Sequence, residues 1–129
     1  MPLCDSDIII DALRSVPQAV ARLDAEEEAG ALFLSPVSHL EVLIGCKSKR
    51  EQNTTEKFLR RFAAVPLDAV VCERAIELVL RYHLSHGLLL ADALIATTAL
   101  VHSIPLLTKN TRDFRFINGL TLEPYALLP

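Results

Sequence analysis

Short apolar runs alternate with longer stretches of helical periodicity along the chain. The runs at residues 2–4, 31–34, 64–67 and 105–108 are predicted strands, and residues 120–122 are a candidate fifth. Helices are predicted between them at residues 5–14, 17–29, 35–46, 51–62, 68–84 and 90–102. Strands that alternate with helices in this way form a parallel sheet with helices on both faces. The pattern therefore predicts one α/β domain over residues 1–129, with a four- or five-stranded parallel sheet.

Local signals support several of these helix boundaries. Ser35 followed by Pro36 is a favourable helix start, with Ser as the cap and Pro at the first position. Gly30 and Gly87 are placed to end the helices that precede them. The segment 90–102 is apolar almost all round, which predicts a buried helix.

Composition narrows the class of protein. Of the 129 residues, 51% are hydrophobic but only 5% are aromatic, so the core must be aliphatic, and the excess for so small a chain indicates a buried partner surface. The net charge of -3 provides no global basic field, so any contact with nucleic acid must come from a local patch. The three scattered cysteines fit reduced thiols in a cytoplasmic protein better than a disulfide framework. Early acidic residues argue against a signal peptide, and the longest uncharged stretch, 93–108, is too short and interrupted to span a bilayer.

Four acidic residues stand where predicted apolar elements begin or end. Asp5 directly follows the first strand, and Asp113 follows the fourth strand by a short loop. Both are expected at the carboxyl edge of the sheet, where open parallel sheets bind ligands. Asp92 lies in the first turn of the buried helix.

Glu41 belongs to the helix after the second strand. At about 100° per residue it shares a face with Val37, Leu40 and Ile44, so it is expected on the inward side. A mid-helix acid among apolar neighbours has no routine structural purpose.

The other three acids each have a structural explanation when taken alone. Asp5 suits a helix cap, Asp92 is a first-turn acid favoured by the helix dipole, and Asp113 is a common turn residue. Together these explanations require several coincidences. If the fold gathers the four acids, they form a negative pocket that needs a cation, for which Mg²⁺ or Mn²⁺ is the natural choice.

Four segments in order carry a resemblance to a known family. They are Cys4 to Ile10, Glu41 to Gly45, Asp92 to Leu100 and Leu107 to Phe114. The chain resembles a PIN-domain ribonuclease, and in particular a VapC-type toxin of a toxin–antitoxin pair. One departure is the short first strand with Pro2, where the family has a plainer aliphatic run.

The resemblance implies a parallel sheet between helices and a metal site formed by Asp5, Glu41, Asp92 and Asp113. It implies a Mg²⁺- or Mn²⁺-dependent endoribonuclease that hydrolyses RNA with a metal-activated water and leaves a 5′-phosphate and a 3′-hydroxyl. We expect Asp5 and Asp92 to bind metal directly, and Glu41 and Asp113 to act through water or to orient the nucleophile. The expected partners are RNA, a cognate antitoxin protein and a second copy of the chain in a homodimer.

Weaker features remain open to two interpretations. Ser6, Thr108 and Asn110 could hydrogen-bond the carboxylates or a phosphate, or could serve only as turn residues. The basic stretch 47–61 could be an RNA-contacting rim or a solvated helix face, whereas Lys109, Arg112 and Arg115 are better placed beside Asp113. His83 and His86 have the spacing of a helical metal pair but also suit ordinary helix-end cations. The rival functions are a PIN nuclease in RNA processing and a catalytically silent α/β binding domain.

Overall fold

A computed structural model describes residues 1–125. Its strands are β1 (Leu3–Cys4), β2 (Leu32–Leu34), β3 (Phe62–Ala64), β4 (Leu106–Thr108) and β5 (Leu122–Pro124). Its α-helices are α1 (Ser6–Leu13), α2 (Pro17–Ala29), α3 (Pro36–Ile44), α4 (Lys49–Leu59), α5 (Ala69–His86) and α6 (Leu90–His102). A 3-10 turn, Thr111–Asp113, follows β4.

The strands form one sheet in the order β3-β2-β1-β4-β5, and every recorded pair is parallel. The chain builds outward from β1 to β3 and then crosses to the other side of β1 to form β4. The point where the order reverses therefore lies between β1 and β4. Leu3 pairs with Leu106 and Cys4 with Leu107, so Asp5 and Thr108 leave these two strands side by side.

Two buried clusters cover the two faces of the sheet. Cys4, Leu107 and α1 contribute to one, whereas Leu3, Leu106 and α6 contribute to the other. Successive strand residues point to opposite faces, so Asp5 and Thr108 share the α6 face with Leu3 and Leu106. The predicted buried helix is α6, in which Ala93 and the run from Ile95 to Ala99 are buried.

The predicted α/β fold with a five-stranded parallel sheet and flanking helices is confirmed. Two strand boundaries were wrong. The third strand is Phe62–Ala64 rather than 64–67, because Pro66 has no backbone N–H with which to extend the ladder. The fifth is Leu122–Pro124 rather than 120–122, because its pairing with β4 starts where Leu106 N–H donates to Thr121 O at 2.9 Å. Within residues 1–125, no helix has the length and apolar character needed to cross a membrane.

Candidate metal centre

Asp5 is a buried carboxylate at the carboxyl end of β1. Its side chain caps α1 by accepting a hydrogen bond from Ser6 N–H at 2.8 Å, so the capping interpretation is correct as far as it goes. The other oxygen accepts from the Thr108 hydroxyl at 2.9 Å, and the residue is only 6% exposed. A cap at a helix surface is normally solvated, so a buried cap with a second, cross-strand partner indicates a further role.

Thr108 links the ends of β1 and β4. Its hydroxyl lies 2.9 Å from Asp5 Oδ2 and 3.2 Å from Asp7 Oδ2, and it accepts from Asn110 N–H at 3.1 Å. One hydroxyl proton cannot satisfy both carboxylates at once. Asp7 is also held by Lys109 N–H, which donates to Oδ2 at 2.9 Å. The structure thus fixes two carboxylates at the point where the strand order reverses.

Burial raises the pKa of Asp5 to about 7, from an ordinary value of 3.8. The charges of Asp7 and Asp92 add to the increase, and the hydrogen bonds from Thr108 and Ser6 oppose it. Desolvation and the charges of two carboxylates on different helices therefore all disfavour the ionised form of Asp5.

Asp92 sits in the first turn of α6 and faces the same edge. Burial is the largest cause, and together with the charges of Asp113, Glu41 and Asp7, in that order, it raises the pKa of Asp92 from 3.8 to about 6. The charges of Asp113, Glu41 and Asp7 thus act on Asp92, and the charge of Asp92 acts on Asp5. The structure therefore brings Asp5, Glu41, Asp92 and Asp113 into one electrostatic cluster.

The expected position of Glu41 was partly wrong. The buried face of α3 carries Ser38 and Val42, whereas Leu40 and Ile44 are 58% and 82% exposed. Glu41 is itself exposed, so it borders the cluster from the solvent side. Asp113, the last residue of the 3-10 turn, is exposed as well. The cluster therefore has an inner part, Asp5 and Asp92, and an outer part that is open to solvent.

The donor set fits a divalent cation without forming a closed ligand shell. Among residues 1–125, no three His, Cys, Asp or Glu side chains are gathered tightly enough to constitute a ready-made metal site. Nor do the five acids Asp5, Asp7, Glu41, Asp92 and Asp113 join any ion pair recorded in that part of the chain. Carboxylates that repel one another and form no ion pair are the arrangement that a hard, oxygen-seeking cation stabilises.

A cleft of about 540 Å³ opens beside Asp92 and Asp113. Arg112, Arg115 and the rings of His86 and Phe116 also line it. Arg112 and Arg115 thus lie beside the acids as expected, but Lys109 is used elsewhere, because its Nζ lies 2.9 Å from Asp11 Oδ2. The cleft offers cations and aromatic surface within reach of the carboxylates.

The other predicted features have separate positions. In the basic stretch, Arg61 pairs with Asp24 and Glu27 at 2.8 and 3.0 Å, whereas Lys47 and Arg50 line a second cavity. His83 hydrogen-bonds the Leu88 carbonyl and His86 stacks on Phe116, so the two rings are not joined as a metal pair. The apolar excess is visible as exposed large side chains on α5 and α6, among them Ile76, Leu80, Leu84 and Leu90.

Comparison with known proteins identifies the family. The PIN-domain model matches residues 3–119. The chain belongs to the PIN-domain family. It is 36% identical over 128 residues to Ribonuclease VapC10 of Mycobacterium tuberculosis, which covers 98% of this chain and 95% of that protein.

Solved structures share the PIN fold over nearly the whole chain. A toxin–antitoxin complex from Klebsiella pneumoniae contains a chain with a TM-score of 0.80 and 29% identity, covering 98% of this chain and 100% of that one. A chain of VapBC2 from Rickettsia felis, bound to a DNA fragment from the promoter, has a TM-score of 0.83 at 22% identity, with coverage of 96% and 98%. The resemblance to PIN-domain ribonucleases of VapC type is confirmed. PIN-domain ribonucleases are generally dependent on a divalent metal.

Sequence reasoning missed one acid of the cluster. Asp7 was noted only as part of the first motif, yet it contacts Thr108 and Lys109 and acts on both Asp5 and Asp92. The sequence did contain a signal for Asp7. It lies two residues after Asp5, in the first turn of α1, and is therefore close to the same edge of the sheet.

Proposed function

We propose that this chain is a Mg²⁺-dependent endoribonuclease, with Mn²⁺ as an alternative metal, and that it acts as the toxin of a toxin–antitoxin pair. The observation that carries the proposal is the uncompensated acidic cluster at the point between β1 and β4 where the strand order reverses. The similarity to Ribonuclease VapC10 supports RNA as the substrate, and the similarity to a toxin–antitoxin complex supports the toxin role. In this proposal the PIN domain comprises residues 1–129, and the protein acts in the cytoplasm.

Each acid has a role that follows from its surroundings. Asp5 and Asp92 are the direct metal ligands, because they are the inner carboxylates whose ionised forms are most in need of a cation. The exposed Glu41 and Asp113 act through water or orient the nucleophile, and Asp7 supports the site from the first turn of α1. Thr108 positions Asp5 by its hydrogen bond, as outer-shell partners of metal ligands commonly do.

The chemistry follows from the charge of the site. Asp5 and Asp92 would hold the cation, which when bound would lower the pKa of a water molecule near the scissile phosphate and offset the charge that develops there. Arg112 and Arg115 hold RNA phosphates in the cleft against the repulsion of the acids. The products are a 5′-phosphate and a 3′-hydroxyl.

Two protein partners complete the proposal. The exposed aliphatic side chains on α5 and α6 form the contact with a second copy, which makes the protein a homodimer. An antitoxin segment docks as a helix and delivers an Arg to the acidic cluster, where it pairs with the carboxylates and blocks metal and phosphate.

Expression of the wild-type chain and of Asp92→Asn in a bacterial host tests the function. The wild type should slow growth and create new RNA 5′ ends within minutes of induction, whereas Asp92→Asn should do neither. A small protein encoded beside the chain should co-purify with it and silence cleavage.

Two results would count against parts of the proposal. Harmless expression with RNA cleavage by the purified protein would favour an RNA-processing nuclease over a toxin. Harmless expression without any cleavage would contradict the nuclease itself.

A further inference from the structure

Three rings form an aromatic stack at the side of the cleft. His86, the last residue of α5, lies parallel to Phe116, with ring centroids 4.4 Å apart and an interplanar angle of 10°. Tyr82 meets both rings edge-on, at 5.3 Å from Phe116 and 5.9 Å from His86. The chain has only five Phe and two Tyr, so two of them in one small surface cluster is a concentrated use of a scarce residue type.

The stack is held firmly from several sides. The Tyr82 hydroxyl accepts from Asn118 N–H at 3.2 Å, and His86 Nδ1 hydrogen-bonds the Ser85 hydroxyl at 2.7 Å. Gly87 takes the left-handed conformation, with φ of 72°, and so ends α5 directly after His86. These contacts restrain the outer His86 ring against Phe116.

The three rings differ in how far they are buried, and core packing accounts for only two of them. Tyr82 and Phe116 are half-buried and pack against the α6-side cluster, but His86 is exposed. One face of the His86 ring lies on Phe116, and because the residue is exposed, the opposite face is the one available to solvent. The fold thus presents a preorganised aromatic face to solvent.

That face adjoins the acids. His86 and Phe116 line the same cleft as Asp92 and Asp113, and Arg112 and Arg115 are on its wall. A nucleotide needs an aromatic surface for its base and a cation for its phosphate, and both are present beside the carboxylates. We infer that the His86–Phe116 stack binds the base of a nucleotide next to the scissile phosphate, with Arg112 and Arg115 on the neighbouring phosphates.

This inference deepens the proposed function and rests on it. The proposed stacking requires a base that is unpaired and turned outward, as it is in single-stranded RNA. It also makes His86 and Phe116 substrate-binding residues, which act on affinity and not on the chemical step. The structural alternative is that the stack only fastens α5 to the segment after the 3-10 turn.

Cleavage of an RNA oligonucleotide with one mapped cleavage site distinguishes base binding by the stack from a purely structural role. The base is removed at each position that flanks the site in turn, and steady-state cleavage is measured for the wild type, His86→Ala and His86→Phe. For the wild type, loss of one particular base should raise KM on the order of tenfold and leave kcat nearly unchanged. His86→Ala should raise KM on the intact RNA by the same factor and lose nothing further when that base is absent.

Two matched variants serve as controls. His86→Phe keeps the ring and should retain the wild-type preference for the base. His102→Ala removes another exposed histidine that ends a helix, α6, and should behave as the wild type. Thermal melting of each variant separates a loss of binding from a loss of fold.

The inference is overturned if His86→Ala leaves KM unchanged. It is also overturned if removal of the base penalises His86→Ala as much as the wild type, since the two groups would then act independently. If the wild type cleaves no RNA, the proposed function fails and the inference fails with it. If the wild type cleaves RNA and His86→Ala cleaves it with the same KM, only the inference fails and the proposed function stands.

Discussion

Replacing Asp92 by Asn should stabilise the metal-free protein. The carboxylate is half-buried beside other acids, and its pKa rises from 3.8 to about 6 on folding. Folding therefore favours the protonated form, so ionised Asp92 opposes folding. The unfavourable contribution is fully present above pH 6 and disappears as the pH falls towards 3.8.

The size of the effect follows from the two pKa values. At about 1.4 kcal/mol per pH unit, the difference corresponds to about 3 kcal/mol at pH 8. Partial solvent exposure screens the neighbouring charges, so we expect about 1–2 kcal/mol. In a domain of this size that increase raises the melting temperature by roughly 3–10 °C.

Thermal melting in EDTA at pH 8 and pH 5 measures the difference. Asp92→Asn should melt above the wild type at pH 8, and the gap should narrow at pH 5. Asp68→Asn is a suitable control, because the exposed Asp68 caps α5 away from the cluster and Asn is an equally good cap. The reasoning is refuted if Asp92→Asn melts at or below the wild type at pH 8, or if the gap does not change with pH.

Three further predictions concern the metal, the support of Asp5 and the dimer. Mg²⁺ or Mn²⁺ at about 100 times its dissociation constant should stabilise the wild type by about 2.7 kcal/mol in a melting titration, and Asp5→Asn should lose most of this gain. Thr108→Val should lower the rate of RNA cleavage about 10- to 100-fold in a folded protein, whereas Thr97→Val, which removes a buried hydroxyl without a recorded partner, should leave the rate unchanged. Ile76→Glu should convert the proposed dimer to a monomer in light scattering at micromolar concentration, and a wild type that is monomeric there would contradict the proposal of a dimer.

Local signals were sufficient for most of the fold and for the inner acids. Asp5 follows a strand in the sequence, and parallel strands end at one edge, so its position could be predicted without coordinates. Asp92 could be placed because α6 is apolar almost all round and must be buried. The positions of both residues follow from local features of the sequence, the strand–helix alternation for Asp5 and the apolar character of α6 for Asp92.

The remaining features depend on tertiary packing that no local pattern encodes. Periodicity assigned Glu41 to the face of α3 that carries Leu40 and Ile44, but packing against α1, α4 and α6 buries the face with Val42 instead. Asp7 joins the cluster because the register of β4 brings Thr108 and Lys109 to it from about a hundred positions away. The His86–Phe116 stack likewise joins two segments that are thirty positions apart.

Cleavage of RNA by the purified protein tests the central claim, that the acids between β1 and β4 are a metal-dependent active site. The wild type should cleave single-stranded RNA in Mg²⁺, lose this activity in EDTA and recover it when Mg²⁺ is restored. Asp5→Asn and Asp92→Asn should be inactive although folded, while Asp68→Asn should remain active. Cleavage that persists in EDTA, or an Asp92→Asn protein as active as the wild type, would contradict the assignment of this site.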